Sequence, residues 1–180
     1  MNTQNLNLIQ LTPEWREELL DLARDFQAEG DTRFNGLLKG GDEAFFVFLQ
    51  NLVDEASEDD LPPGVIPQTT FWLVRDETTL VGFGRLRHRM GDHLLEKGGQ
   101  VSIEIRPSER GKGYEEALLG LMLAQAARMG LSEVRLTCAE EDAETAARIE
   151  AAGGEYIETR PLRRSSKQIR VYRIGSGRQD

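Results

Sequence analysis

Residues 100–131 read QVSIEIRPSERGKGYEEALLGLMLAQAARMGL. The stretch opens as a strand. Val101, Ile103 and Ile105 alternate onto one face, with Ser102, Glu104 and Arg106 on the other. Pro107 stops it, because it offers no amide to a ladder. A helix follows from near Gly113, with Leu118, Met122 and Met129 at helical spacing, and Gly130 supplies a left-handed terminal cap. Between strand and helix lies Arg110-Gly111-Lys112-Gly113-Tyr114-Glu115. The first turn of a helix leaves amide N–H groups without partners, and the macrodipole adds partial positive charge there. Glycines permit a tight turn and close approach of a ligand to the backbone. Such a turn, with two bases in it, suits a phosphate or pyrophosphate. It is not the Walker pattern, which needs G-x-x-x-x-G-K-[ST]. Nor is it the dinucleotide pattern G-x-G-x-x-G, since counting from Gly111 and Gly113 leads to Glu116.

Outward from this unit the chain reads as an α/β protein. Asn7–Leu11 predicts a short strand, and Thr12-Pro13 caps and opens a helix with Trp15, Leu19, Leu22, Ala23 and Phe26 on one face. A second helix begins at Asp42 as cap, with Phe45, Phe46, Leu49, Leu52 and Val53 inward. The acidic run Glu58-Asp59-Asp60 reads as a solvated end. TTFWLVRDETTLVGFGRLRHRM gives two strands turning at Asp76-Glu77. Phe71 and Leu73 face one way, Trp72 and Val74 the other, so this strand is covered on both faces. DHLLEKGG is a connection of no clear type. After the central strand–turn–helix come the strand SEVRLTC, the helix DAETAARIEAAGG and the strands EYIETR and QIRVYRI. The order β-α-α-β-β-β-α-β-α-β-β, taken as one domain over 1–180, predicts a mixed central sheet with helices on both faces.

With that order in place, the turn resembles the signature [QR]-x-x-G-x-[GA] of the GNAT superfamily of N-acetyltransferases, through Arg110 and Gly113. The resemblance runs from about Phe71 to Gly154, and the fuller pattern GFGRLRHRM…GG…IRPSERGKGY…LTC…IEAAGG is similar to a branch of predicted bacterial acetyltransferases. It implies the GNAT acyl-CoA N-acyltransferase fold and acetyl-CoA as co-substrate. It implies direct transfer of the acetyl group to a small-molecule or peptide amine. A catalytically impaired acyl-CoA sensor or binding module is the other activity the fold admits. The family's pantetheine arm lies between two splayed strands, which here puts the backbone of Ile103 and Ile105 against it. The pyrophosphate would lie on the amides of Arg110, Gly111, Lys112, Gly113, Tyr114 and Glu115. Three positions depart from the pattern. Glu115 stands where the family has glycine or alanine. In the helix after SEVRLTC, Asp142 and Ile149 occupy the places of a pantetheine-binding asparagine and a proton-donating tyrosine. A homodimer is implied by the same analogy.

Acetyl transfer needs a deprotonated amine, so a base or a water chain is required. Glu104 and His88 are the candidate catalytic residues. The ordinary alternatives are a solvated or ion-paired Glu104 and a hydrogen-bonded structural His88. His88 and His93 alone make no metal site. Arg85, Arg87 and Arg89 alternate onto one face and either bind an anionic part of a substrate or pair with carboxylates. Cys138, the single cysteine, reads as core and permits no internal disulfide. The net charge of −9 excludes the usual nucleic-acid binder and an anionic membrane surface, and suits a cationic substrate as well as plain solubility. No basic segment followed by an apolar core opens MNTQNLNLIQL, and no apolar run reaches roughly 20 residues, so a cytoplasmic protein is expected.

Overall fold

The computed structural model describes residues 5–163 and 165–176, without the side chains of Asp60, Asp92 and Lys97. Met1–Gln4 of the N-terminal stretch lie outside the described residues. In chain order the elements are β1 (Leu6–Ile9), α1 (Arg16–Ala28), α2 (Asn35–Lys39), α3 (Gly41–Asp54), β2 (Gln68–Arg75), β3 (Thr79–Arg87), β4 (Val101–Ile105), α4 (Tyr114–Arg128), β5 (Glu133–Ala139), α5 (Ala143–Ala151), β6 (Glu155–Pro161) and β7 (Gln168–Gly175). The α/β class and the element order are those expected, with α2 as an addition. Asp76 and Glu77 turn β2 into β3 through left-handed backbone (φ 50° and 62°), which keeps the hairpin in the twist of its strands.

The strand layout is a correction. In place of one mixed sheet there are two antiparallel ones, β1-β2-β3-β4 and β5-β7-β6. They meet at the segment just before β4. Gln100 N–H donates to the Arg135 carbonyl (2.6 Å) and Thr137 N–H to the Gly98 carbonyl (3.2 Å). At the centre of that junction Gly99 has φ +82°, and a Cβ there would lie 2.2 Å from the Arg135 carbonyl oxygen. Only glycine fits. Beyond it, β4 and β5 part.

The first sheet is covered on both faces, as the two-sided apolar character of β2 requires. Phe71, Leu73 and Val81 pack with Leu118, Leu119 and Met122 of α4. Trp72, Val74 and Phe83 pack with Leu19, Leu22 and Phe26 of α1 and Phe45 of α3. The inward face of α3 also needs correcting. Phe46 and Val53 are exposed (57% and 63%), while Phe48 turns in against Trp72. The buried stripe runs through 45, 48, 49 and 52, and Phe46 and Val53 each sit one residue, about 100°, beyond it. Asp42 is not the cap. The helix starts at Gly41, and Asp42 pairs with Arg16 (2.8 Å). Arg106, nearly buried at the end of β4, holds α1 to the sheet through Asp21 (2.6 Å) and Asp25 (2.5 Å).

Candidate active site

Where β4 and β5 separate, they enclose a cleft of about 410 Å³. Its walls are β4, Leu136 and Thr137 of β5, Glu115 and Leu119 of α4, and Arg148 and Ile149 of α5. The backbone of β4 is aimed into it by the pairing with β3. Arg87 N–H donates to the Gln100 carbonyl and Arg106 N–H to the Val81 carbonyl, both at 2.9 Å. Partners in an antiparallel ladder alternate, so Ser102 and Glu104 also bond to β3, and the N–H and C=O of Ile103 point away from it. Ile105 shares that direction, and its carbonyl accepts from Arg110 Nε (3.3 Å). An open edge of strand therefore faces the cleft.

A second set of donors stands at the mouth. Gly111 and Gly113 adopt φ +71° and +83°, and α4 begins directly after them. Among the described residues, the N–H groups of Gly111, Lys112, Gly113 and Glu115 have no acceptor within the chain. The bases of the turn are already engaged. Arg110 pairs with Glu29 of α1 (2.7 Å) and Lys112 with Glu109 (3.0 Å), which Arg75 also holds (2.8 Å). Glu115 is half-buried and lines the cleft, with Arg148 close enough to feel its charge. Arg148 itself bonds Glu116 and Glu144, both at 3.0 Å. The Tyr114 ring is buried under the turn, and its hydroxyl accepts from Arg75 (2.9 Å), so the side chain is core. Asp142 caps α5, its Oδ1 accepting from Thr145 N–H (2.9 Å), which keeps its carboxyl below the usual range. It is not among the cleft's lining residues, whereas Ile149 is.

Glu104 lines the cleft and both its oxygens are bound by Arg33. Arg33 also bonds Asp31 and lies over Phe26 (5.4 Å to the centroid) and Phe34 (5.9 Å). His88 lies apart from the cleft lining. Its Nε2 shares a hydrogen bond with Thr69 Oγ1 (2.8 Å). Burial pushes its pKa below 6.5. Of the three arginines at 85, 87 and 89, only Arg89 meets a carboxylate among the described residues, that of Glu58. Cys138 is buried, and burial pushes its thiol up. Among the described residues, no group of three or more His, Cys, Asp or Glu is placed to hold a metal ion, and no helix is long and apolar enough to cross a membrane.

These shifts set the pH response. His88 protonates less readily folded than unfolded, so its contribution is complete above pH 6.5 and is lost as pH falls through and below that value. Burial raises Asp25 and Glu109, but the bonds from Arg106 and Ser108, and from Lys112 and Arg75, outweigh it and hold both below their ordinary 3.8 and 4.5. Their contribution is complete above those values and lost below them. Urea unfolding from pH 8 to 3 is expected to show two steps of lost stability. His88→Gln should abolish the upper step; a step that survives in this variant refutes its assignment to His88.

The sequence signalled the turn and β4 but missed Arg33, Arg148 and Glu29. Each acts across 32 to 81 residues of chain, and no local spacing marks such a pair.

No curated protein matches the sequence. Solved structures do match the fold. A ribosomal L7/L12 alpha-N-protein acetyltransferase, RimL, solved with coenzyme A, has a TM-score of 0.66 at 12% identity, covering 97% of this chain and 95% of that one. The microcin C7 self-immunity acetyltransferase MccE, solved with acetyl-CoA and AMP, has a TM-score of 0.64 at 11% identity, covering 97% and 93%. The spermidine/spermine N-acetyltransferase SpeG from Vibrio cholerae, solved in mutant forms, has a TM-score of 0.62 at 14% identity, covering 96% and 95%. The model of the acetyltransferase (GNAT) family matches residues 12–149. With the splayed strands and the glycine turn at the start of α4, this match means that the chain belongs to the GNAT acetyltransferase family.

Proposed function

We propose that the protein transfers the acetyl group of acetyl-CoA to an amine by direct attack. One observation carries the reading: the open edge of β4 lines a cleft whose wall also includes Arg110 and Glu115, the two ends of the turn that holds the unpaired amides. In this reading the backbone of Ile103 and Ile105 pairs with the pantetheine amides as an added strand would. The amides of residues 110–115 receive the pyrophosphate. The amine nitrogen attacks the thioester carbon, the carbonyl oxygen gains charge near the β4 amides, and the C–S bond breaks to release the CoA thiolate. Glu104 receives the ammonium end of the acceptor, and its proton leaves through water. Its two bonds from Arg33 fix the carboxylate on the cleft wall. Ile149 donates no proton, so the thiolate leaves as such and is protonated by solvent. His88, hydrogen-bonded outside the cleft lining, takes no step. The complexes of RimL with coenzyme A and MccE with acetyl-CoA support the co-substrate by analogy of fold.

A second reading has its own observation. Glu115 lines the cleft, and Arg110 and Lys112 are spent on Glu29 and Glu109. That arrangement suits an impaired cradle that senses acyl-CoA weakly or binds another partner. Calorimetric titration of the wild type with acetyl-CoA, followed by amine-dependent release of CoA thiol, decides between them. The expected result is micromolar binding with turnover. Binding without turnover on any amine favours the sensor, and no binding at millimolar acetyl-CoA removes the transferase and the sensor and leaves a module for another partner.

A further inference from the structure

Arg85 and Arg87 share one face of β3, and the transfer chemistry gives them no task. The chain has 31 acidic and 22 basic side chains, yet among the described residues neither arginine meets a carboxylate. Arg87 is 7% exposed, and its Nη1 donates to the Gly99 carbonyl at 2.7 Å. Burial and the charge of Arg85 both oppose its charged form. Arg85 is half-buried, 5.5 Å above the Phe83 ring. A nearly buried guanidinium beside a second one, with no anion, is a costly arrangement for the isolated protein.

Two further polar atoms on this face are orphans. Thr70 lies directly opposite Arg85 across the β2–β3 pair, and its Oγ1 is sealed from solvent with no hydrogen-bond partner. Trp72 Nε1, two residues along β2, is in the same condition. Aromatic rings wall the face in a closed circuit: Phe34 to Phe48, Phe48 to Trp72, Trp72 to Phe83 and Phe83 to Phe34, at 6.3, 6.3, 4.9 and 6.2 Å. The face also adjoins the cleft. Ser102, paired with Arg85, lines it, as does Glu104 one pair further.

We propose that the acceptor carries a carboxylate as well as its amine, as a free amino acid does. Arg85 and Arg87 bind that carboxylate while the amine turns to Glu104 and the cleft. The proposal rests on the acetyltransferase reading. A guanidinium fork matches a carboxylate. Arg85 and Glu104 are diagonal positions on paired strands, about 7–8 Å apart, so one small molecule can reach both, with Arg87 two residues further along β3. A polyamine brings only positive charge to two unneutralised arginines. This separates the chain from the spermidine acetyltransferase whose fold it shares.

The test uses the twenty protein amino acids, each beside its methyl ester, with spermidine as an amine lacking a carboxylate. CoA release from acetyl-CoA is one readout; calorimetric titration of the same compounds without acetyl-CoA is the other. The expected result is that at least one acid binds and is acetylated, with kcat/KM about 10- to 100-fold above its ester and above spermidine. Arg85→Gln raises KM for the acid about tenfold more than for the ester, and Arg85→Lys recovers part of the loss. Arg85 carries the test because removing Arg87 also strips the Gly99 carbonyl of its donor. Equal or better use of esters or spermidine overturns the proposal, and so does a panel in which no acid binds. Should acids bind while acetyl-CoA does not, the carboxylate site stands and the transferase reading falls.

Discussion

Replacing Glu115 by alanine is expected to tighten acetyl-CoA binding by about 10- to 100-fold. The side chain is half-buried on the cleft wall, and its own N–H is among the amides that would receive a dianionic pyrophosphate. Two like charges at ~4 Å cost on the order of 4 kcal/mol at a surface-like dielectric. Solvent and the nearby Arg148 reduce that, leaving about 1.5–3 kcal/mol for a group that remains partly exposed. The variant gives up about 0.3–1 kcal/mol of favourable helix-dipole interaction, so its unfolding midpoint drops slightly while its affinity rises. Calorimetry on both proteins at low and high salt checks this, because an electrostatic gain must shrink as salt is added. Weaker binding by the variant would mean that Glu115 assists the ligand, through Arg148 or directly, and would sink the idea of an obstructed cradle.

The second large effect is structural. Gly99→Ala places a Cβ 2.2 Å from the Arg135 carbonyl and 3.0 Å from Leu136 Cα, at φ +82°. The neighbours are backbone and cannot rotate away. Left-handed strain and displaced packing together cost about 3 kcal/mol. For a chain of this size that lowers Tm by about 6–12 °C. Gly111→Ala is the control. It has similar φ (+71°) but open space within 4 Å, so it bears only the strain, about 1–2 kcal/mol. Calorimetric unfolding of the two variants separates clash from strain, and equal losses would show that the junction at Gly99 is not tight in solution.

Much of this protein was legible in its sequence because the informative interactions are local. Alternation marked β2 and β4, the glycines at 111, 113 and 130 marked the ends around α4, and Asp76-Glu77 marked the hairpin. The turn before α4 followed from the same short-range patterns, whereas the outward backbone of β4 followed from the family resemblance alone. What was missed depends on distance along the chain. The two-sheet layout hinges on backbone bonds from residues 98–100 to residues 135–137. The inward arc of α3 depends on how the helix is rolled against Trp72, which an apolar count over Phe45, Phe46, Leu49, Leu52 and Val53 does not reveal. Glu104 is read differently once Arg33, 71 residues away, is seen holding both its oxygens.

β1 and β2 are neighbours in the sheet, with Ile9 opposite Trp72, yet all of α1, α2 and α3 lie between them. The helical cover over the Arg85 face is thus a single excursion whose two ends are pinned about one strand spacing, ~4.8 Å, apart. Its length and sequence can change without shifting the register of any strand, since loop closure grows only slowly with the number of residues enclosed. Everything that faces the cleft from β4, α4, β5 and α5 is encoded after residue 98. The topology therefore divides the chain into a module that can be exchanged and a module that cannot. Rebuilding the first part changes what surrounds Arg85 and Glu104 while the strands that carry them keep their register.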